Sequence, residues 1–101
     1  MAILAQLDLT TSINNLVATM GAAATVNILL TNRTNAAINV SVALVPVGTG
    51  VPAAMHWIDY QVPLDAHMAL ERTGIPLAMG DQVFVNPSAT GVSCSVIGLV
   101  I

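Results

Sequence analysis

The 101 residues are the length of one domain, and they combine 55% hydrophobic residues with 7% charged residues and a formal net charge of −3. With no lysine, and only Arg33 and Arg72 set against Asp8, Asp59, Asp65, Glu71 and Asp81, the chain has no basic patch for phosphate, which argues against nucleic-acid binding. No apolar run approaches the roughly 18 residues of a spanning helix, and residues 1–9 lack the basic start and unbroken apolar stretch of a secretory signal, so no membrane partner is expected.

From the start the chain reads as strands. Ile3, Ala5, Leu7 and Leu9 alternate with Leu4, Gln6 and Asp8, predicting an N-terminal edge strand or arm over residues 1–12, ahead of a β-sandwich domain over 13–101. Thr10-Thr11-Ser12 punctuates it. A weaker strand is predicted from Ile13 to Met20, with a turn at Asn14-Asn15 as the alternative. Ala23 to Thr31 is strong, because Val26, Ile28 and Leu30 alternate within a run rich in β-branched residues. Asn32-Arg33-Thr34-Asn35 is a polar turn. Ile38, Val40, Val42 and Leu44 then alternate with Asn39, Ser41 and Ala43, so one face is core and the other small and polar.

Pro46 ends that strand because proline has no amide to give a ladder. Val47 to Pro52 is loop, and its Gly48-Thr49-Gly50 lacks the residues of a phosphate cradle. Ala53 to His56 fits a single helical turn. Trp57 to Val62 is strand, with Ile58 and Tyr60 expected on one side and Trp57, Asp59 and Gln61 on the other. Leu64 to His67 is a turn, Met68 to Thr73 a strand, Gly74-Ile75-Pro76 a break, and Gly80-Asp81 a tight turn before Gln82 to Val85. Asn86 to Gly91 is the last loop, and Val92 to Ile101 closes the chain as a long strand. No stretch longer than one turn has a 3.6-residue period. Strands at this spacing predict a single all-β domain, an antiparallel sandwich or barrel of jelly-roll type.

Chemistry is sparse. His56, Asp59, Asp65 and His67 lie close in sequence, and such residues hold zinc or iron when they converge. Their phases do not favour that: His56 and Asp59 fall on opposite sides of a strand and Asp65 and His67 bracket a turn, so turn-capping and solvated side chains are the preferred reading. Cys94, the only cysteine, excludes an intrachain disulfide and sits in an alternating Val-Ser-Cys-Ser-Val run as a small buried hydrophobe. No serine elbow or carboxylate pair across a cleft is evident, and no enzyme, cofactor or metal is expected. Of Glu71 and Arg72, adjacent on a strand, one must point inward or into a contact; Arg72 is expected to meet a carboxylate or carbonyls, or else to be a solvated edge arginine. Trp57, Tyr60 and Phe84 are the only aromatics, too few by count for a stacking platform for sugars or single-stranded nucleic acid, and are read as core or interface anchors. The candidate interface residues are Trp57, Tyr60, Arg72, Phe84 and Arg33.

Several blocks together, Ala24 to Thr34, Ile38 to Leu44, Trp57-Ile58-Asp59-Tyr60, Leu70-Glu71-Arg72-Thr73-Gly74-Ile75-Pro76-Leu77, Gly80-Asp81-Gln82-Val83-Phe84-Val85 and Gly91-Val92-Ser93, resemble a family of small β-sandwich virion proteins of tailed bacteriophages. Leu-Glu-Arg-Thr-Gly followed by Gly-Asp-Gln-Val-Phe-Val is the most specific part. Ala18-Thr19-Met20-Gly21 departs from the Val-Pro-Ala-Gly of similar chains. The resemblance implies a structural role in the virion and no catalytic residues.

A domain this small hides only a modest part of its surface, and ordinary domains carry roughly 45–50% apolar residues even with glycine counted. The surplus is expected to be covered by copies of the chain, as a homo-oligomer and most simply a trimer, and by a major capsid protein or other virion partner. The expected function is therefore a capsid decoration, or cement, protein on the outer capsid surface, a role that the chain's length also favours over a fibre. A tail, neck, baseplate or fibre component and a lectin-like receptor-binding module are the alternatives.

Overall fold

Alternation of apolar and small polar residues dictates the architecture: each strand has one face to bury, and two sheets laid face to face bury both. A computed structural model of the protein describes residues 2–11, 14–15, 23–48 and 52–100. Its strands are β1 (Ala2–Asp8), β2 (Asn14–Asn15), β3 (Ala24–Asn32), β4 (Ile38–Val45), β5 (Trp57–Leu64), β6 (Ala69–Leu77), β7 (Gln82–Pro87) and β8 (Val92–Val100), with a 3₁₀ turn at Ala54–His56. They form two antiparallel four-stranded sheets of order β1-β8-β3-β6 and β2-β7-β4-β5.

That order has a simple origin. β4 pairs with β5, β3 with β6, β2 with β7 and β1 with β8, so the chain is one long antiparallel ribbon doubled back between β4 and β5. Rolling the ribbon adds the contacts of β3 with β8 and of β4 with β7, which complete the two sheets. This is the jelly roll, an arrangement of two Greek keys. The fold class expected from strand spacing is the one observed, in its sandwich form.

Between the sheets lies the core: Val26, Ile28 and Leu30 of β3 and Val92, Cys94 and Val96 of β8 face Val40 and Val42 of β4 and Val83 and Val85 of β7. Gly98 continues the inward row of β8, and its missing side chain leaves room that Leu4 fills. A methyl group there would lie 2.7 Å from the Thr25 carbonyl oxygen and 2.8 Å from Leu4 Cδ1 and Val26 Cγ1. β1 makes this possible by a bulge at Leu4, between Ile3 and Ala5. Ala2–Asp8, within the stretch read as a strand or arm, thus supply an edge strand of the first sheet.

Apart from shifts of one or two residues, such as β7 running on to Pro87, the boundary that departs from the sequence reading lies on an edge strand. Gly74-Ile75-Pro76, expected as a break, lies inside β6: a bulge opposite Asn27, with Gly74 at φ 67° and its amide donating to Asn27 Oδ1 (3.0 Å), carries the strand on to Leu77. Pro76 and Pro63 are tolerated because, among the described strands, β6 and β5 each have a neighbour on one side only, so the missing amide faces away from the ladder. The strand expected from Ile13 to Met20 is described only at Asn14–Asn15, which pairs with Val85 and Phe84 rather than forming a turn. The remainder of that stretch, including Ala18-Thr19-Met20-Gly21, and Thr49-Gly50 of the glycine-containing loop lie outside the described residues. No described helix is long and apolar enough to cross a membrane.

Candidate functional site

β5 is the least regular of the described strands, with two register shifts against β4. Trp57 stands opposite Ala43, Asp59 opposite Val42 and Val62 opposite Val40, so β5 uses one extra residue, Ile58, across the first step and sets Tyr60 and Gln61 against Ser41 alone across the second. An edge strand can absorb such bulges because only one ladder has to be kept. Their effect is to change the face of each side chain. In an unbroken strand Trp57 and Asp59 share a side and Tyr60 takes the other.

Here Asp59 turns into the sandwich, and Trp57 and Tyr60 both stand on the outer face of the second sheet. Their ring centroids are 5.8 Å apart at an interplanar angle of 63°, an edge-to-face contact. The alternation expected over Trp57 to Gln61 is corrected accordingly: two bulges, invisible to a period-two reading, regroup these side chains. Gln61 carries the conformational cost, at φ 50°, and its amide leaves the ladder to donate to Ser41 Oγ (2.8 Å).

Beneath the Trp57 ring lies a second, smaller apolar cluster of Ala43, Val45 and Phe84, on the side of the sheet opposite the main core. Beside it runs a groove of about 440 Å³ lined by Thr11, Asn39, Ser41, Trp57, Tyr60, Gln61, Asn86, Pro87 and Ser88. None of these side chains is charged. Asn86, with its amide nitrogen turned toward carbonyls, donates to Thr11 O (3.1 Å) and Pro87 O (3.3 Å). Ser88 and Asn39 exchange two bonds, Ser88 N to Asn39 O (2.8 Å) and Asn39 N to Ser88 Oγ (3.0 Å), which fix the rim where β4 meets the loop after β7. A further hollow of about 330 Å³, lined by Ala54, Trp57 and Tyr60, adjoins these aromatics.

Trp57, Tyr60 and Phe84 are therefore brought together, although Phe84 is itself buried. The two arginines are elsewhere and engaged within the chain. Arg72 of β6 reaches across the open side of the sandwich to Asp59, with Nε 2.9 Å from Oδ2 and Nη2 on Oδ1. The Asp59 hydrogen bond raises the guanidinium pKa above its ordinary value, against burial, which lowers it. Arg33, just after β3, pairs with Asp8 at the end of β1 in solvent.

The four metal candidates are dispersed. His56 closes its own 3₁₀ turn, its Nδ1 accepting from Ala53 N (2.8 Å) while its amide donates to Ala53 O (3.0 Å). Asp59 is taken by Arg72, and Asp65 and His67 belong to the turn between β5 and β6, at the other end of β5. No three His, Cys, Asp or Glu side chains gather among the described residues. Burial pushes the Cys94 thiol up to about 12, which leaves it protonated and unreactive at neutral pH.

No protein-family model, curated protein or solved structure matches this chain. The groove is accordingly read from its own residues. Sequence reasoning missed Asn39, Ser41, Gln61, Asn86 and Ser88 as a group. The small polar face of β4 was the available signal, but the bulges that set the aromatics beside it have none in the residue pattern.

Proposed function

We propose that this chain is a structural component of a tailed-bacteriophage virion, a decoration protein that self-associates, as a trimer in its simplest form, and seats on the outer capsid surface. The observation that carries the reading is how poorly the surface is suited to water. Ile3, Val47, Met55, Tyr60, Met68, Met79 and Leu99 are each more than half exposed, Met55 at 85%. Against them the chain has seven charged side chains, of which four are spent in the Arg72–Asp59 and Arg33–Asp8 pairs.

Asp81 is also occupied, accepting from the amides of Val47 (3.2 Å) and Ala78 (2.9 Å) to hold two loops together. At about 25 cal/mol per Å², covering exposed apolar chains with identical copies or a shell contributes what a small core cannot. The jelly roll suits the role, since viral capsid domains use it, but lectins do too, so fold alone does not decide. The resemblance in the Leu70 to Leu77 and Gly80 to Val85 blocks supplies the rest.

Two measurements test the reading together. Sedimentation of the purified protein is expected to give an oligomer. Gold-labelled antibody on phage particles carrying this protein is expected to decorate the head in many copies. Label confined to the tail would replace the decoration role with a tail, neck or baseplate one. A monomer at all concentrations, with no affinity for particles, would overturn the proposal.

A further inference from the structure

The geometry points to the groove on the outer face of the second sheet as a binding site for a neutral, hydroxyl-rich ligand, a saccharide of one or a few sugar units. This goes beyond the virion role and does not rest on it. Size comes first: about 440 Å³ is within the range of roughly 300–1,000 Å³ that small-ligand sites occupy. Chemistry then narrows the class. An anion would find no cationic partner, because both arginines are paired elsewhere, and a cation would find no carboxylate among the lining residues.

What the groove offers instead is a mixture. The side-chain amides of Asn39 and Gln61 each supply donors and acceptors, and the Ser41 hydroxyl accepts from Gln61 N and keeps its own proton to donate. Against that polar side stands the Trp57–Tyr60 wall, with Tyr60 64% exposed. A sugar ring presents the same two chemistries, an apolar C–H face and an edge of hydroxyls, each of which donates and accepts. Counting three aromatics in the chain argues against a sugar platform; the fold puts two of them on one wall.

The backbone supports a built site. Tyr60 reaches the wall only because β5 takes two residues against Ser41, and Gln61 holds a left-handed conformation to make that possible. Holding a residue other than glycine in that conformation costs of order 1 kcal/mol or more, which the Gln61 N to Ser41 Oγ bond offsets in part. Because the adjoining hollow shares Trp57 and Tyr60, the aromatics serve two neighbouring spaces, which suits a short oligosaccharide better than a single ring.

Trp57 is the only tryptophan, so its emission reports on the site directly. Lactose, maltose, cellobiose and chitobiose are titrated into the full chain, each to about 50 mM, where a millimolar site saturates. At least one is expected to shift Trp57 emission saturably and independently of salt, since no ion pair is involved. Tyr60→Ala, at an exposed side chain outside the core, is expected to weaken that binding about tenfold, while Met79→Ala in the turn between β6 and β7 leaves it unchanged. Silence to all four sugars overturns the inference. So does an emission that follows protein concentration instead of sugar, which would give the groove to a second copy of the chain, and so does a glycan array on which only sialylated or sulfated glycans bind.

Discussion

Asp59 and Arg72 close the open side of the sandwich: the carboxylate comes from β5 in one sheet, the guanidinium from β6 in the other, and two hydrogen bonds join them. Their environments are unequal, with the Asp59 side chain 5% exposed and that of Arg72 42%. Water therefore reaches the cation, while the anion depends on it. The bulge at Ile58 lets Asp59 point inward while Trp57 points outward, and the second bulge, opposite Ser41, brings Tyr60 out beside Trp57, so the ion pair and the aromatic wall both follow from the irregularities of β5.

Removing the arginine should thus strand a buried carboxylate. Loss of one partner of a fully buried pair costs about 3–5 kcal/mol, and solvent at the guanidinium reduces this, so Arg72→Ala is expected to cost about 2–3 kcal/mol in urea unfolding. The double substitution Asp59→Leu, Arg72→Met should recover most of the loss, since it leaves no uncompensated charge. Arg33→Ala is the contrast: its pair with Asp8 is open to solvent on both sides and should matter by less than about 0.5 kcal/mol. Equal effects at the two arginines would show that burial of Asp59 is not what matters.

Asn32 organises the opposite end of the molecule. Fully buried at the end of β3, it donates to Ala36 O (2.8 Å), Leu64 O (3.0 Å) and Asp65 O (3.2 Å) and accepts from Thr34 N (2.9 Å) and Thr34 Oγ1 (2.7 Å). It pins the turn after β3 to the turn after β5. Asn32→Ala leaves buried carbonyls without a donor and is expected to cost about 2–4 kcal/mol, read from the denaturation midpoint. Asn32→Asp, which keeps the acceptor but has no amide to donate, should be nearly as damaging. A neutral Asn32→Ala would mean that water replaces every one of these bonds.

How much of this was written in the residues differs by element. The core strands were legible, because Val26-x-Ile28-x-Leu30 and Val40-x-Val42-x-Leu44 alternate over a whole face and a one-residue slip would expose all of it. Arg72 meeting a carboxylate was one of the readings its strand context allowed. Asn32 read only as a turn residue, since its buried role depends on Leu64 and Asp65, far along the chain. The groove was hidden for a different reason: Trp57, Asp59 and Tyr60 change sides through bulges, and a bulge on an edge strand leaves the residue pattern untouched.

Gly98 looks unremarkable in Val-Ile-Gly-Leu-Val, yet three strands converge on it. With the Thr25 carbonyl oxygen 2.7 Å from where a methyl would sit, part of the obstacle is backbone, which cannot turn aside as a side chain does. Gly98→Ala is therefore expected to destabilise by about 1–3 kcal/mol despite the gain in strand propensity, with the strain placed between β3 and β8. Combining it with Leu4→Ala should return only a fraction, because shortening Leu4 relieves the flexible contact and not the carbonyl. Thermal unfolding of the single and double variants measures both. Full recovery in the double variant would assign the crowding to Leu4 instead.

Cys94 gives a pH dependence whose direction is fixed. Burial between the sheets raises the thiol from 9.0 to about 12. As pH climbs past 9 the unfolded chain loses the thiol proton while the folded chain keeps it, so the folded state binds more protons and stability must fall with rising pH. The contribution is fully present below the unfolded value and declines by about 1.4 kcal/mol per pH unit between 9.0 and about 12. Other groups titrate in the same range, so the informative quantity is the difference between the natural chain and Cys94→Ala across a series of alkaline unfolding curves: the variant should be less stable at pH 7, from the small cavity, and should lose stability less steeply above pH 9. The same burial predicts that a thiol-directed maleimide labels the protein only as fast as it unfolds. Labelling of the native chain at the rate of a free thiol, or parallel pH profiles for the two proteins, would contradict the placement of this side chain in the core.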